Sequence, residues 1–155
     1  MADKLRIKIL TAEKTICDRE AGQVVAPGWE GEFGILPDHS PFICALQTGY
    51  LEIRSGHKSV EPPEAVYAVH GGFMRIYKDD VLILATAAES KGDIDADRAH
   101  KAQQRAEEKL KDRARADIDF IRAEAALKRA LIRLRIHSGR QHEVETGLPD
   151  GSSHH

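Results

Sequence analysis

Side chains able to do chemistry are few in this chain, and most are badly placed for it. His39, His57, His70 and His100 stand far apart, and no Cys-x-x-Cys or His-x-x-x-His pair offers two metal ligands at one turn of chain. Cys17 and Cys44 are the only thiols, too few for a disulfide framework and in keeping with a reducing compartment. No Gly-x-Ser-x-Gly elbow or other activated nucleophile occurs. The stretch Gly28-Trp29-Glu30-Gly31-Glu32-Phe33-Gly34 lacks the Lys-Ser/Thr of a phosphate loop, and its two carboxylates would repel phosphate. It reads as a turn region. No metal is expected, and no catalysis by this chain alone.

The one suggestive pattern is cationic. Between 120 and 140, six Lys/Arg residues stand against one acid, a net of +5. At about 100° per helical residue, Arg122, Arg129 and Arg133 share a ridge. A guanidinium is a planar fork of donors suited to phosphate oxygens, so the ridge either converges on a polyphosphate or is a solvated face. Nucleic acid is a weaker reading, because apolar stripes divide the cations and no stacking aromatics stand among them.

The elements that must position these groups change character near residue 90. In 155 residues, 41% are hydrophobic and 31% charged, with a net charge of -2; that excludes a wholly disordered chain and gives no overall pull toward nucleic acid. No apolar run approaches the ~20 residues of a spanning helix. The first twenty residues mix charges throughout, so no secretory signal is expected. Gly and Pro are dense from Gly22 to Gly72 and absent over 93–138, where there are ten Ala and no Val. The charge shifts too: 9 basic and 13 acidic residues over 1–90, then 14 and 12 over 91–155.

Leu5, Ile7 and Ile9 alternate with polar residues, the period of a half-buried strand. Further strands are predicted over 23–26, 42–46, 50–54, 65–69, 74–77 and 81–85, divided by turn signals such as Pro27-Gly28, Ser55-Gly56 and Gly71-Gly72. The fold class is thus an all-β sandwich or barrel of short antiparallel strands over 1–90, followed by an α-helical hairpin over 91–138 and a flexible tail over 139–155. The tail's terminal His154-His155 are either native or added. Pro62-Pro63 mark an edge or loop.

Asp93 or Asp95 can cap the first helix, whose apolar stripe is Ala99, Ala102, Ala106 and Leu110. Asp117 is the expected cap of the second. That helix carries two opposed stripes: Ile118, Ile121, Ala125, Ile132 and Ile136 on one side, and Phe120, Leu127, Leu131 and Leu134 on the other. Two stripes need two partners, the paired helix for one and the sandwich or another protein for the second. Baring a four-residue stripe would cost roughly 6–12 kcal/mol gross, so detachment would require a new surface.

Motifs spread along the chain carry a family resemblance. Trp29-Glu30-Gly31-Glu32-Phe33-Gly34-Ile35-Leu36-Pro37-Asp38-His39-Ser40-Pro41 resembles the E-G-E-x-G-I-x-P-x-H-x-P signature of the epsilon subunit of F-type ATP synthase. His70-Gly71-Gly72-Phe73, Val81-Leu82-Ile83-Leu84-Ala85 and Ile94-Asp95-Ala96-Asp97-Arg98-Ala99 follow in the family's order. The second helix, from Asp119-Phe120-Ile121-Arg122 through Ala126-Leu127-Lys128-Arg129-Ala130, is similar to the bacterial form. The resemblance covers about residues 4–138.

The resemblance implies a noncatalytic rotor subunit of the central stalk, joining the gamma subunit to the membrane c-ring on the cytoplasmic face of the bacterial inner membrane. By analogy Glu32 and His39 lie on loops near the c-ring, and the sandwich packs against gamma. The hairpin would be regulatory, folded on the sandwich or extended along gamma into the alpha/beta catalytic head, where it inhibits ATP hydrolysis. No cofactor is required, but some members bind regulatory ATP. The corresponding residues here are Glu89, Asp95, Arg98, Arg129 and Arg133. A bland role is open for three of these residues: His39 can simply hold the sandwich, Asp95 can cap its helix and Arg98 can form an ion pair. A standalone ATP-sensing module with the same architecture is the competing reading.

Overall fold

A computed structural model describes residues 3–57, 62–112 and 116–139. Eight strands come first: β1 (Leu5–Leu10), β2 (Thr15–Ala21), β3 (Gln23–Gly28), β4 (Gly31–Ile35), β5 (Phe42–Arg54), β6 (Ala65–Tyr77), β7 (Asp80–Ala85) and β8 (Ala88–Ser90). A short 3-10 turn, Lys91–Asp93, leads to α1 (Ala96–Lys111) and α2 (Asp117–Ser138). The strands follow the order β2-β1-β7-β6-β5-β3-β4, with β8 also on β6.

The two longest strands make this path a sandwich. The later half of β6 pairs with β7, from Gly72↔Ala85 to Tyr77↔Asp80, while its earlier half pairs with β8. β5 runs beside β6 throughout, and its later half pairs with β3. Each long strand thus serves both layers. The inward side chains meet in one core that includes Leu5, Ile7, Ile9, Val24, Ile35, Leu46, Leu51, Ile53, Met74, Ile76 and Ile83.

This arrangement corrects several expectations. The predicted pieces 42–46 and 50–54 are one strand, as are 65–69 and 74–77. Gly71 and Gly72 do not end a strand; they bend β6 between layers, with φ of 79° and 129°. A Cβ at Gly72 would stand 2.2 Å from the Leu84 carbonyl oxygen, so the bend admits no side chain. β2, β4 and β8 were not anticipated. In β2 Cys17 and Ala21 are buried and Ile16 is half-buried against the core, with charged residues at 18–20, and β8 is three residues long. Residues Gly28 to Gly34 are mostly strand, with a turn only at Trp29 and Glu30. Finally, β1 and β7 are parallel. No crossover helix is needed, because five intervening strands carry the chain back to its own start. Pro62 and Pro63 stand in the connection before β6, clear of the hydrogen-bond ladder.

The helices pack through small residues. Ala99 and Ala106 of α1 and Ala123 and Ala130 of α2 are buried, so the two backbones approach closely. α2 docks onto the sandwich through Ile132 and Ile136, which join Ala68, Ile94, Tyr50 and Val66 in a second, smaller cluster. The expected isoleucine stripe is therefore covered only in its later half: Ile118 and Ile121 are each 63% exposed. Leu127, Leu131 and Leu134 are half-buried and Phe120 is exposed. The closest seam is neither predicted stripe but an alanine row between them.

Asp95 caps α1, accepting from the Arg98 backbone N–H at 3.1 Å. Asp93 instead closes the 3-10 turn, accepting from the backbone N–H and hydroxyl of Ser90. Asp117 is not the cap of α2. Ala116 holds that position without a side-chain bond, and Asp117 lies one residue inside, where its charge still favours the helix N-terminus. Gly139, with φ of 74°, ends α2 by donating to the Ile136 carbonyl at 3.2 Å. The rest of the predicted tail lies outside the described residues.

Candidate functional site

Where β8, the start of α1 and the later half of α2 meet, they enclose a cavity of about 450 Å³. Glu89, Asp93, Asp95, Arg98, Arg105 and Arg133 line it, over a floor of Ala99 and Ala102. The Asp95 cap fixes the first turn of α1. Arg98, Ala102 and Arg105 then follow at helical spacing along one face, and the alanines leave the space that longer side chains would fill.

Three carboxylates and three guanidinium groups share this wall, but they are not equally available. Asp93 is engaged by Ser90 and Asp95 by the helix start. Glu89 is held by Arg133, whose Nε donates to Oε1 at 2.8 Å and to Oε2 at 3.1 Å, while Nη2 lies 2.7 Å from Oε1. Burial pushes the Glu89 carboxyl up, but His70 and Arg133 beside it outweigh this and hold it down at about 2. Arg98 and Arg105 have no ion-pair partner among the described residues and are exposed. The cavity thus has occupied carboxylates and free cations, a lining suited to an anion with several oxygens.

Of the five residues predicted for this site, Glu89, Asp95, Arg98 and Arg133 line the cavity together. Arg129 does not; it lies one turn back along α2, half-buried. Nor does the predicted arginine ridge converge. Arg122 lines a separate groove of about 250 Å³ with Arg105, Lys109 and Asp119. Arg105 was missed, although its place seven residues after Arg98, two helical turns on, was a readable signal.

The sandwich offers a second feature. Cross-strand neighbours Ala45, Phe73 and Leu84 face outward beside Ile43 and Arg75, and Ile43, Phe73 and Leu84 are each more than half exposed. A groove of about 560 Å³ at the same face is lined by Pro41, Phe42, Ile43, Arg75, Ile76 and Tyr77. Exposed apolar faces of this kind are surfaces that a protein, a membrane or a ligand covers.

Glu32 is exposed, but not on a loop as expected: it belongs to β4, opposite Pro27, because the β3–β4 turn is only two residues long. Its charge reaches Tyr50, under the last turns of α2. His39 is on the β4–β5 connection, with Nδ1 2.7 Å from the Ser40 carbonyl oxygen and its ring against Phe42.

The domain family described as ATP synthase, Delta/Epsilon chain, beta-sandwich domain matches residues 4–91, and the long alpha-helix domain of the same chain matches 93–137. The ATP synthase epsilon chain of Syntrophobacter fumaroxidans is 44% identical over 139 residues, 88% of this chain and 97% of that one. That of Desulforamulus reducens is 42% identical over 135 residues, 87% and 98%. The chain belongs to the ATP synthase epsilon-chain family. It is a noncatalytic subunit of that complex, as the resemblance implied, and the sandwich followed by two helices is the family's architecture. A chain of the Euglena gracilis mitochondrial ATP synthase shares the fold with a TM-score of 0.68 at 22% identity, covering 83% of this chain and 78% of that one. No helix among the described residues of this epsilon-family chain is long and apolar enough to cross a membrane.

Proposed function

We propose that the sandwich is the torque-bearing part of a central-stalk subunit, joining gamma to the c-ring at the cytoplasmic face of the bacterial inner membrane. The hairpin is then a regulatory arm that restrains ATP hydrolysis when it extends to the alpha/beta head. The outward face of Ile43, Phe73 and Leu84 supports the gamma contact, since these side chains lose water-exposed area only against another protein. The exposed turn residue Trp29, with Leu36 and His39 on the next connection, supports the contact with the ring, to which Glu32 adds a charge.

The observation that carries the regulatory reading is how little of α2 is committed to the sandwich. Ile132 and Ile136 are its buried large side chains, contributing roughly 3–6 kcal/mol gross at about 1.5–3 each. A ligand of the docked form, present at 100 times its dissociation constant, adds about 2.7 kcal/mol. The two magnitudes are comparable, so a nucleotide can tip the arm. ATP in the cavity, its phosphates facing Arg98, Arg105 and Arg133, is the proposed regulator; Arg129 is left to a contact in the extended form.

The test compares hydrolysis by the assembled enzyme carrying either the full chain or one truncated before α1. Release of hydrolysis on truncation is expected; equal rates would end the inhibitory reading. Calorimetry of the isolated chain tests the regulator, where absence of heat at millimolar ATP removes it.

A further inference from the structure

His70 has no role in the reading above, yet it is one of two buried polar or charged residues among the described residues, with Arg54. Its side chain is 4% exposed, and its backbone is fixed on β6 by donation to the Ala87 carbonyl at 2.9 Å, just before the Gly71–Gly72 bend. Neither ring nitrogen has a well-aligned hydrogen-bond partner among the described residues. The nearest acceptor to Nε2 is Oε1 of Glu89, at 3.2 Å. A buried imidazole N–H without a partner is costly, and at 3.2 Å the Glu89 carboxylate is within reach to relieve it.

The same Oε1 atom receives both the Nε and Nη2 contacts of Arg133. Glu89 therefore takes the side edge of the guanidinium of Arg133, which also lines the cavity. This geometry exists only while Glu89 keeps its rotamer. A partly exposed glutamate has other rotamers in water, and the group standing behind it is His70. From these contacts we infer that His70 is a positioning residue. It holds Glu89, Glu89 holds Arg133, and this chain from β6 through β8 to α2 both latches the second helix and aims Arg133 into the cavity. The first role stands without any ligand; the second rests on the cavity taking a polyphosphate.

A double-mutant cycle in the full-length chain separates this from simple core filling. Hydrogen-exchange protection is measured over α2 and, as an internal reference, over β1 and β7. His70→Leu is expected to lower protection of 126–138 about tenfold with the reference strands unchanged, and His70→Gln, which keeps a donor, to restore most of it. With Glu89→Gln already present, adding His70→Leu should change α2 no further. If leucine disrupts the sandwich, His70→Ala takes its place in the same cycle. An equal loss with and without Glu89→Gln, an unchanged α2, or a glutamine no better than leucine each overturns the latch. ATP titrations of the same variants test the aiming role: weaker binding by His70→Leu supports it and wild-type affinity rejects it. A wild-type chain that binds no ATP removes the cavity reading and the aiming role, while the exchange cycle still decides the latch.

Discussion

The sandwich and the helical hairpin are built on different terms. Of the largest fully buried side chains among the described residues, those of Leu5, Ile7, Ile9, Val24, Ile35, Leu46, Leu51, Ile53, Met74, Ile76 and Ile83 belong to the sandwich, and Ile136 alone to the hairpin. One region buries branched side chains from all its main strands in a shared core. The other holds together through alanines, and its contacts with the sandwich among the described residues include two isoleucines, an ion pair, and a hydrogen bond from Lys128 to Gln47 of 3.1 Å. A part that transmits torque needs cooperative burial. A part that changes neighbours needs a contact small enough to exchange.

Removing matched groups from the two regions gives the largest expected contrast. Leu51→Ala empties a fully buried site in the sandwich and should cost about 2–5 kcal/mol, lowering the melting temperature of the whole chain. Ile136→Ala removes a side chain just as buried, with a cost in the same range, but the loss should fall on docking alone. Protease sensitivity and exchange should rise over α2 while the strands keep their melting temperature. If Ile136→Ala lowers strand stability as much as Leu51→Ala does, the hairpin is part of one cooperative unit and the comparison fails.

The same division explains what was legible in the sequence. Alternation at Leu5, Ile7 and Ile9, and the change of composition near residue 90, are local signals that set strands apart from helices. The union of predicted segments into β5 and β6 was not local: Gly71-Gly72 has the grammar of a turn, and only the layer geometry makes it a bend. The parallel β1–β7 pair depends on contacts across most of the domain. In α2 the eye follows Ile and Leu, yet the tightest seam uses alanine, whose small volume matters only once a second helix is present. Four of the five proposed ATP residues share a cavity, and those assignments came from motif resemblance. The His70–Glu89 contact, between residues nineteen apart on different strands, had no sequence signal.

Acid should also act on the hairpin before the core. Glu89 has its carboxyl held at about 2 instead of the ordinary 4.5, because Arg133 and His70 more than offset its burial. A depressed carboxyl stabilises the folded form fully above its unfolded value, and that contribution is lost as pH falls from about 4.5 toward 2. The lowered carboxyl of Asp93, held by Ser90, moves the same way. Distances between spin labels on α2 and on β5 should therefore lengthen as pH falls from 5 to 3, and in Glu89→Gln this dependence should flatten. A docked population constant with pH in the wild type would show that the ion pair does not hold the arm.

The smallest effect expected is also the most informative about the cavity. Asp95 sits at the entrance of α1 and accepts from the Arg98 N–H. Asp95→Ala should cost about 1 kcal/mol, fraying the first turn of α1 without changing strand stability, and exchange at 97–99 should rise about fivefold. Asp95→Asn keeps an oxygen able to cap and should return most of that protection. The carboxylate charge faces a wall where Arg98 and Arg105 have no ion-pair partner among the described residues, so the asparagine variant has a second use. If Asp95 acts only by shaping the helix, nucleotide affinity in Asp95→Asn should match the wild type. If its charge opposes the phosphates, affinity should rise; if it receives a donor from the ligand, affinity should fall by about the worth of one charged hydrogen bond, ~1.5–3 kcal/mol. The occupied state of its oxygen in the cap favours the first result, and calorimetry on the alanine and asparagine variants side by side distinguishes all three.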